Sequence, residues 1–339
     1  MHRTSSEVTL LLPGLESASA ALSDEPGKGS LLAEARMRWA DDPSRPWEVS
    51  LQHALGLNAG DTVIPMARAL CLSEHTANSS MPVVCADPVH FKPDCDTASL
   101  VPGRVMSIEP VDAQALITSL NEFVREDGLE FEFHHAARWI LRGVSAEDLA
   151  AFPPHYLAER SISPYLTTST DDRQWQRWQT EWQMLLHSHP VNQTRMAAGK
   201  LPINSLWIWG GGVLPDASAV SALVYANDDD AKALCRGFGV PSRSLDELAE
   251  LNAALYAEQS VARVIILDTS LLDAWMARDA EQLTDALQKI NNVLIPTLVD
   301  AFDRNRMSRL DVVTEDGHRA TLQAAAGWLS RLRKTFLSR

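Results

Sequence analysis

The chain has 339 residues, with 30 Lys plus Arg against 44 Asp plus Glu and a formal net charge of -14. Apolar residues make up 45% and charged residues 22%, the profile of a soluble globular protein, and the length suits two domains or one large domain carrying an insertion. The acidic balance argues against general nucleic-acid binding, and no apolar run approaches the ~18–20 residues of a bilayer-crossing helix.

The opening MHRTSSEVTLLLPGL carries too short an apolar stretch for a signal peptide, so a first core strand and a cytoplasmic location are expected. That strand is Val8–Leu12, closed by Pro13-Gly14. The apolar spacing of LLAEARMRWA (31–40) predicts a helix. PVVCA (82–86) predicts a buried strand that gives way to a loop at Asp87-Pro88, because proline donates no ladder hydrogen bond. From Asp112 to Gly128 the pattern is an amphipathic helix with Leu116, Ile117, Leu120, Phe123 and Val124 on one face. LEFEFHHAARWILRG then alternates as strands do, and residues 171–189 form a helix striped by Trp175, Trp178, Trp182, Leu185 and Leu186. SLWIWGGG (205–212) and VARVIILD (261–268) predict two more buried strands. A long helix over 279–303 is interrupted at Pro296, and a strand and turn follow at 309–317 before a basic amphipathic closing helix. Buried strands alternating with helices predict an α/β fold, a mostly parallel sheet with helices on both faces.

Four cysteines, Cys71, Cys85, Cys95 and Cys235, form no C-x-x-C pair and read as free thiols. Three stretches concentrate polar groups: Asp87-Pro-Val-His90, then His187-Ser-His189-Pro-Val-Asn192-x-x-Arg195, then Asn204 ahead of the strand ending in Gly210-Gly211-Gly212. Asp87 and His90 could share a metal or simply brace a loop, and one carboxylate with one imidazole does not complete a metal site. The glycine run could let backbone amides approach a phosphate, or could be a plain turn. Arg138, Arg195 and Lys200 are candidate partners for phosphate or carboxylate. No G-x-G-x-x-G, Walker A or G-x-S-x-G motif occurs.

Together HPVNQTRMAAGKLPINSLWIWGGGVLP (189–215), DPVHF (87–91) and EDGLEFEFHHAARWILRG (126–143) resemble the cofactor-independent phosphoglycerate mutases, the archaeal type above all. Within that family they look closest to a bacterial branch of mutase-like regulatory proteins of the pathogenicity-factor type E. The resemblance implies an alkaline-phosphatase-like core over 1–100 and 190–339, an α+β insertion over 101–170 and a connecting Trp-rich helix over 171–189. It also implies phosphoryl transfer through a phosphoserine assisted by two divalent ions. Position by position, the match fails where that chemistry sits. The family's metal-binding Asp-Gly after the first strand corresponds to Pro13-Gly14. The nucleophile, upstream of Leu55-Gly56, falls near Trp47 when no gap is placed, with Ser44 and Ser50 as neighbours that a gap would bring into its place. The later Asp-x-x-x-His pair falls on Leu272 and Met276, with Asp273 one residue away. The family's Thr-Gly-Asp-His resembles Thr314-Glu315-Asp316-Gly317-His318, so Asp316 and the displaced His318 are the only surviving metal candidates.

These substitutions predict a catalytically degenerate relative that serves as a regulatory or phosphometabolite-binding protein. Its pocket would be lined by Asp87, His90, Arg138, His189, Asn192, Arg195 and Asn204, and it would need no cofactor. The alternative is an active mutase or metal-dependent phosphotransferase with a rearranged manganese or zinc site. A protein partner docking on the Trp-rich helix is a third expectation, and neither nucleic acid nor membrane is an expected partner.

Overall fold

A computed structural model describes residues 6–18, 39–57, 64–73, 81–93, 98–144, 152–158, 160–162, 173–217, 220–251, 263–304, 306–315 and 317–323. The chain divides into two compact units, Met1–Asp61 with Pro215–Arg339, and Thr62–Leu214.

Strand β1 (Ser6–Leu11) is the one the opening apolar run predicts. Its alternation sends Val8, Leu10 and Leu12 into one cluster with Tyr225, Val264, Ile266, Leu310 and Val312. β2 (Trp39–Asp41) takes the end of the segment expected to be a helix; Trp39 and Ala40 pair antiparallel with a later strand, and most of that segment lies outside the described residues. Helix α1 (Trp47–Leu55) starts after Pro46, whose fixed φ suits a helix entry, and stops at Gly56 in the left-handed conformation (φ 78°).

The second unit opens with α2 (Met66–Ser73) and β3 (Val83–Pro93). The expected loop at Asp87-Pro88 is instead the middle of this eleven-residue strand. β3 changes partners along its length: Val83–Cys85 pair with β6 (Arg138–Arg142), and Val89–Pro93 pair with β4 (Ala98–Pro102). On the opposite side, Cys85–Val89 pair with a strand at Ser205–Trp209. By strand alternation the nitrogen of Pro88 faces the gap between the two successive partners, where no ladder bond is needed. After β4 come α3 (Pro110–Val124) and β5 (Glu130–His135), which pairs with β6. They are followed by α4 (Pro154–Leu157), α5 (Arg173–Ser188), α6 (Pro190–Ala197) and β7 (Ser205–Trp209). The sheet is antiparallel throughout. One face buries Val84, Ala86, Phe131, Trp139 and Leu141 against Leu116 and Leu120 of α3 and Trp182 and Leu186 of α5. In the Trp stripe, Trp178 and Trp182 stack with their planes 7° apart and Trp182 meets Phe131 edge-on, so these rings are core. This unit starts and ends farther out than the expected 101–170 insertion, because β3 and β7 are hydrogen-bonded into its sheet.

The chain then returns to the first unit through β8 (Ala222–Ala226), α7 (Asp229–Phe238), β9 (Ser242–Ser244) and β10 (Arg263–Leu267). It continues through α8 (Ser270–Ala277), α9 (Ala280–Lys289), a π-helical turn at Ile290–Leu294, α10 (Ile295–Asp303), β11 (Met307–Val313) and β12 (His318–Gln323). The helix expected to break at Pro296 does not break there. Proline lacks an N–H and its ring crowds the carbonyl four residues back, and the wider π turn just ahead of it absorbs both effects. The seven strands run in the order β2-β12-β11-β1-β10-β8-β9, parallel from β11 to β9 and antiparallel at β12 and β2. The fold is α/β, as expected. β12, a return strand unmarked by the expected turn, completes a hairpin with β11, and the expected closing helix lies outside the described residues. No helix among the described residues is long and apolar enough to cross a membrane.

Candidate functional site

In sheets with a parallel core, side chains just beyond the carboxyl ends of the strands are the usual reactive surface, since the loops there meet several strands at once. In the first unit the turn after β1 brings Glu16 beside β11. Its Oε1 accepts from the Thr314 hydroxyl at 2.7 Å and lies 2.6 Å from Nδ1 of His318. On the other side of β1, Asp268 after β10 accepts from Asn227 (3.0 Å) and from the Ser270 amide and hydroxyl. Asn227 in turn accepts from the Thr269 amide, and the Thr269 hydroxyl donates to Asp273. Glu16 makes these contacts through Oε1, and Asp268 makes its own through Oδ1.

The positions that the family resemblance assigns to chemistry are filled by packing. Trp47, at the expected place of the nucleophile, is the first residue of α1 and is buried, with Glu48 buried beside it. Ser50 is buried one turn on, and Ser44 donates to the Glu315 carbonyl. Gly14 sits at φ 78°, and a Cβ there would lie 2.6 Å from Leu272 Cα and 2.7 Å from Leu272 N. The Pro13-Gly14 turn therefore packs on the backbone of α8 at one of the positions where a metal ligand was expected. The residues at the expected ligand positions do not fit a two-metal centre, because Pro13, Leu272 and Met276 supply no ionic or imidazole ligand. Among the described residues no three His, Cys, Asp or Glu side chains are grouped to hold a metal ion. Asp316 lies outside the described residues, and His318 bonds Glu16.

All seven expected pocket residues lie in the second unit, and the structure joins them into three separate sets. In the first, the buried Asp87 carboxylate accepts from Arg138 Nε (2.6 Å) and Trp209 Nε1 (2.9 Å), while the guanidinium lies 4.7 Å from the Trp209 ring centroid. This arrangement ties β6, β3 and β7 together with a buried ion pair and a cation–π contact. In the second, Asn204 accepts from the Phe91 amide (2.7 Å) and donates to the Phe91 carbonyl (3.0 Å), extending the ladder one step where β7 has begun to diverge. His90 Nδ1 meets the Pro202 carbonyl at 2.9 Å.

The third set surrounds α6. His189 is its N-cap, accepting from the Val191 amide through Nδ1, with Nε2 3.0 Å from the Ser119 hydroxyl. Burial holds the His189 pKa below its ordinary value, which keeps Nδ1 bare for the cap. Asn192, wholly buried, donates to the carbonyls of Leu186 and Ile203 and accepts from the Ile203 amide, all at 2.7 Å. Arg195 donates to the carbonyls of Leu201, Ser107 and Met106. Its pKa is lowered by burial and raised by nearby Asp112 and Glu109. Lys200 lies at the surface 3.7 Å from Glu109.

The glycine run is irregular chain that follows the last residue of β7. Gly210 (φ 72°) accepts from the Ala67 amide, and a Cβ on it would press on Cys85 and Met66 at about the contact limit. Among the cysteines, burial raises Cys71 and pushes Cys235 up to about 12, so both are packed thiols. Sequence reasoning passed over Glu16, Asn227 and Thr269, and met Thr314 only as part of the segment matched to the family's Thr-Gly-Asp-His. Of these, Asn227 carries a legible signal, standing directly after an apolar run and before the Asp228 cap of a helix.

No protein-family model matches the chain. It is 28% identical over 141 residues to the 2,3-bisphosphoglycerate-independent phosphoglycerate mutase of Methanosarcina acetivorans, covering 39% of this chain and 34% of that protein. It is 25% identical over 218 residues to 2,3-bisphosphoglycerate-independent phosphoglycerate mutase 2 of Methanothermobacter thermautotrophicus, covering 58% of this chain and 53% of that protein. The chain thus spans about a third to a half of the length of the curated relatives it matches. Among solved structures it is similar to the cofactor-independent phosphoglycerate mutase of Thermoplasma acidophilum, at 14% identity and TM-score 0.38, with 95% of this chain and 90% of that one covered. Over part of its length, this chain is similar in sequence to the cofactor-independent phosphoglycerate mutases.

Proposed function

We propose that the chain is a catalytically degenerate member of that lineage, acting as a regulatory protein that binds a phosphorylated metabolite or a protein partner in the cytoplasm. One observation carries the reading: the positions expected to hold a nucleophile and metal ligands are Trp47, Pro13 and Leu272, and the Gly14 turn packs against the Leu272 backbone. Replacing a hydroxyl and carboxylates by buried apolar groups removes the nucleophile and the charge that phosphoryl transfer requires. The seven polar residues of the second unit serve this reading as positioning groups rather than as direct ligands, because their bonds run to their own unit. An active enzyme with a rearranged site would instead have to draw on Glu16, Asp268 and His318 at the strand ends.

The deciding experiment pairs two measurements on the intact protein. Calorimetric titration with 3-phosphoglycerate and 2-phosphoglycerate is expected to show saturable binding, and a coupled mutase assay with added manganese or zinc is expected to show no turnover. Metal-dependent turnover would overturn the degenerate reading. An absence of heat with either compound would overturn the phosphoglycerate-binding form of it and leave a protein partner as the regulatory target.

A further inference from the structure

In the sheet of the second unit β5 is an edge strand, with β6 on its inner side and no strand on its outer side among the described residues. An open edge offers unpaired N–H and C=O groups to any extended chain. The sequence EFEFHH is the kind that strands recruit, with Phe131 and Phe133 alternating with glutamates. Its backbone at Phe131 is nevertheless occupied. Asn121, on α3, accepts from the Phe131 amide at 2.7 Å and donates to the Phe131 carbonyl at 2.8 Å. One carboxamide thus makes both bonds that a neighbouring strand would make there. Strand alternation directs Glu130 and Glu132 toward β6 and carries the backbone of Phe133 to the same outer edge as Phe131.

We infer that Asn121 is an edge guard: its amide substitutes for the missing strand beside β5 and keeps a second copy of this chain from pairing with β5 through the same edge. The occupant it excludes is another β5, because in a pure solution of the protein that is the one identical open edge always at hand. Two further features fit an edge built to stay closed. Glu132, on the strand, is locked to Arg142 of β6 at 2.7 Å, and the register of β5 on β6 shifts between Phe133 and His135. Inward-held charge and a bulge are both ways in which edges resist pairing. The inference is independent of any ligand or activity.

Hydrogen exchange on the full-length protein tests it first. The Phe131 amide is expected to exchange as slowly as that of Glu132, although one faces outward and the other faces β6. A Phe131 amide that exchanges freely in the unaltered protein overturns the inference. In Asn121→Ala, the Phe131 amide is expected to exchange at least ~100-fold faster, and the sedimentation coefficient is expected to rise with concentration where that of the parent is constant. A folded Asn121→Ala protein that sediments like the parent at every concentration overturns the guard role. Should the alanine variant not fold, Asn121→Asp supplies the same reading: it keeps the acceptor for the Phe131 amide and loses the donor to the carbonyl, so association is expected at higher concentration than a full opening would need. No association of that variant overturns the inference equally.

Discussion

The two units solve opposite problems with the same kinds of residue. In the first, polar side chains stand where a parallel sheet usually does chemistry, at Glu16, Asp268, Thr314 and His318, while the positions that family resemblance marks for catalysis are packed shut by Trp47, Pro13-Gly14 and Leu272. In the second, the residues that look most like a binding site are its internal ties. Asp87, Asn192, Arg195 and Asn204 direct their polar atoms at the backbone or at a buried partner within the unit. A motif of His, Asn and Arg is thus evidence of demand for hydrogen bonds, and only geometry says whether a ligand or the chain itself makes that demand.

Removing ties should therefore unfold the second unit before it alters any ligand. Asp87→Ala removes the carboxylate that pairs with the buried Arg138 guanidinium, and we expect about 3–5 kcal/mol of destabilisation in urea unfolding. A loss under about 1 kcal/mol would mean that the pair is solvated and available to a ligand, which would dissolve the contrast. Asn192→Ala leaves the Ile203 amide and two carbonyls without their carboxamide, with an expected cost of about 2–3 kcal/mol by the same measurement. In the first unit, Gly14→Ala forces a Cβ into the Leu272 backbone at a positive φ, and we expect about 1–3 kcal/mol. Thermal denaturation that leaves this variant as stable as the parent would show that the turn can move away from α8, reopening the question of a site there.

The smallest effect is also the one with a pH signature. His189→Ala removes an N-cap and should cost about 1 kcal/mol. Because burial holds the folded-state pKa of His189 below its ordinary 6.5, the unfolded chain takes up the proton first as the pH falls. The contribution of His189 is then complete above about pH 6.5 and is lost as the pH drops toward the folded-state pKa. His189→Asn keeps a cap without a titrating ring, so unfolding curves taken between pH 7.5 and pH 5 (values chosen to bracket about 6.5) should be flatter for it than for the parent. Equal slopes would remove His189 from the pH response.

Much of this was legible in the sequence, and the failures share a cause. β1, β7, β10 and α5 follow from apolar periodicity alone, since each buries one continuous face or run. Pro88 misled because a proline rule speaks of one residue's missing donor, whereas β3 changes partners at that point and needs none. The extent of the second unit was hidden for the same reason: β3 and β7 pair across more than a hundred residues, and no local pattern records a partner that distant. Asn192 and Asn204 were noticed but assigned outward, because a carboxamide that matches a backbone is indistinguishable in one dimension from one that matches a ligand.

The placement of β1 also sets a timetable. It lies between β10 and β11, so its neighbours begin at Arg263 and Met307, while the second unit is complete by Leu214. Contacts that span such separations are slow to close, and at about 5–20 residues per second the ribosome needs roughly 12–50 s to deliver β10 after β1. The second unit is fully synthesised well before the last strands of the first unit's sheet. On the ribosome, β1 emerges before both strands that flank it, and the whole second unit is made in the interval.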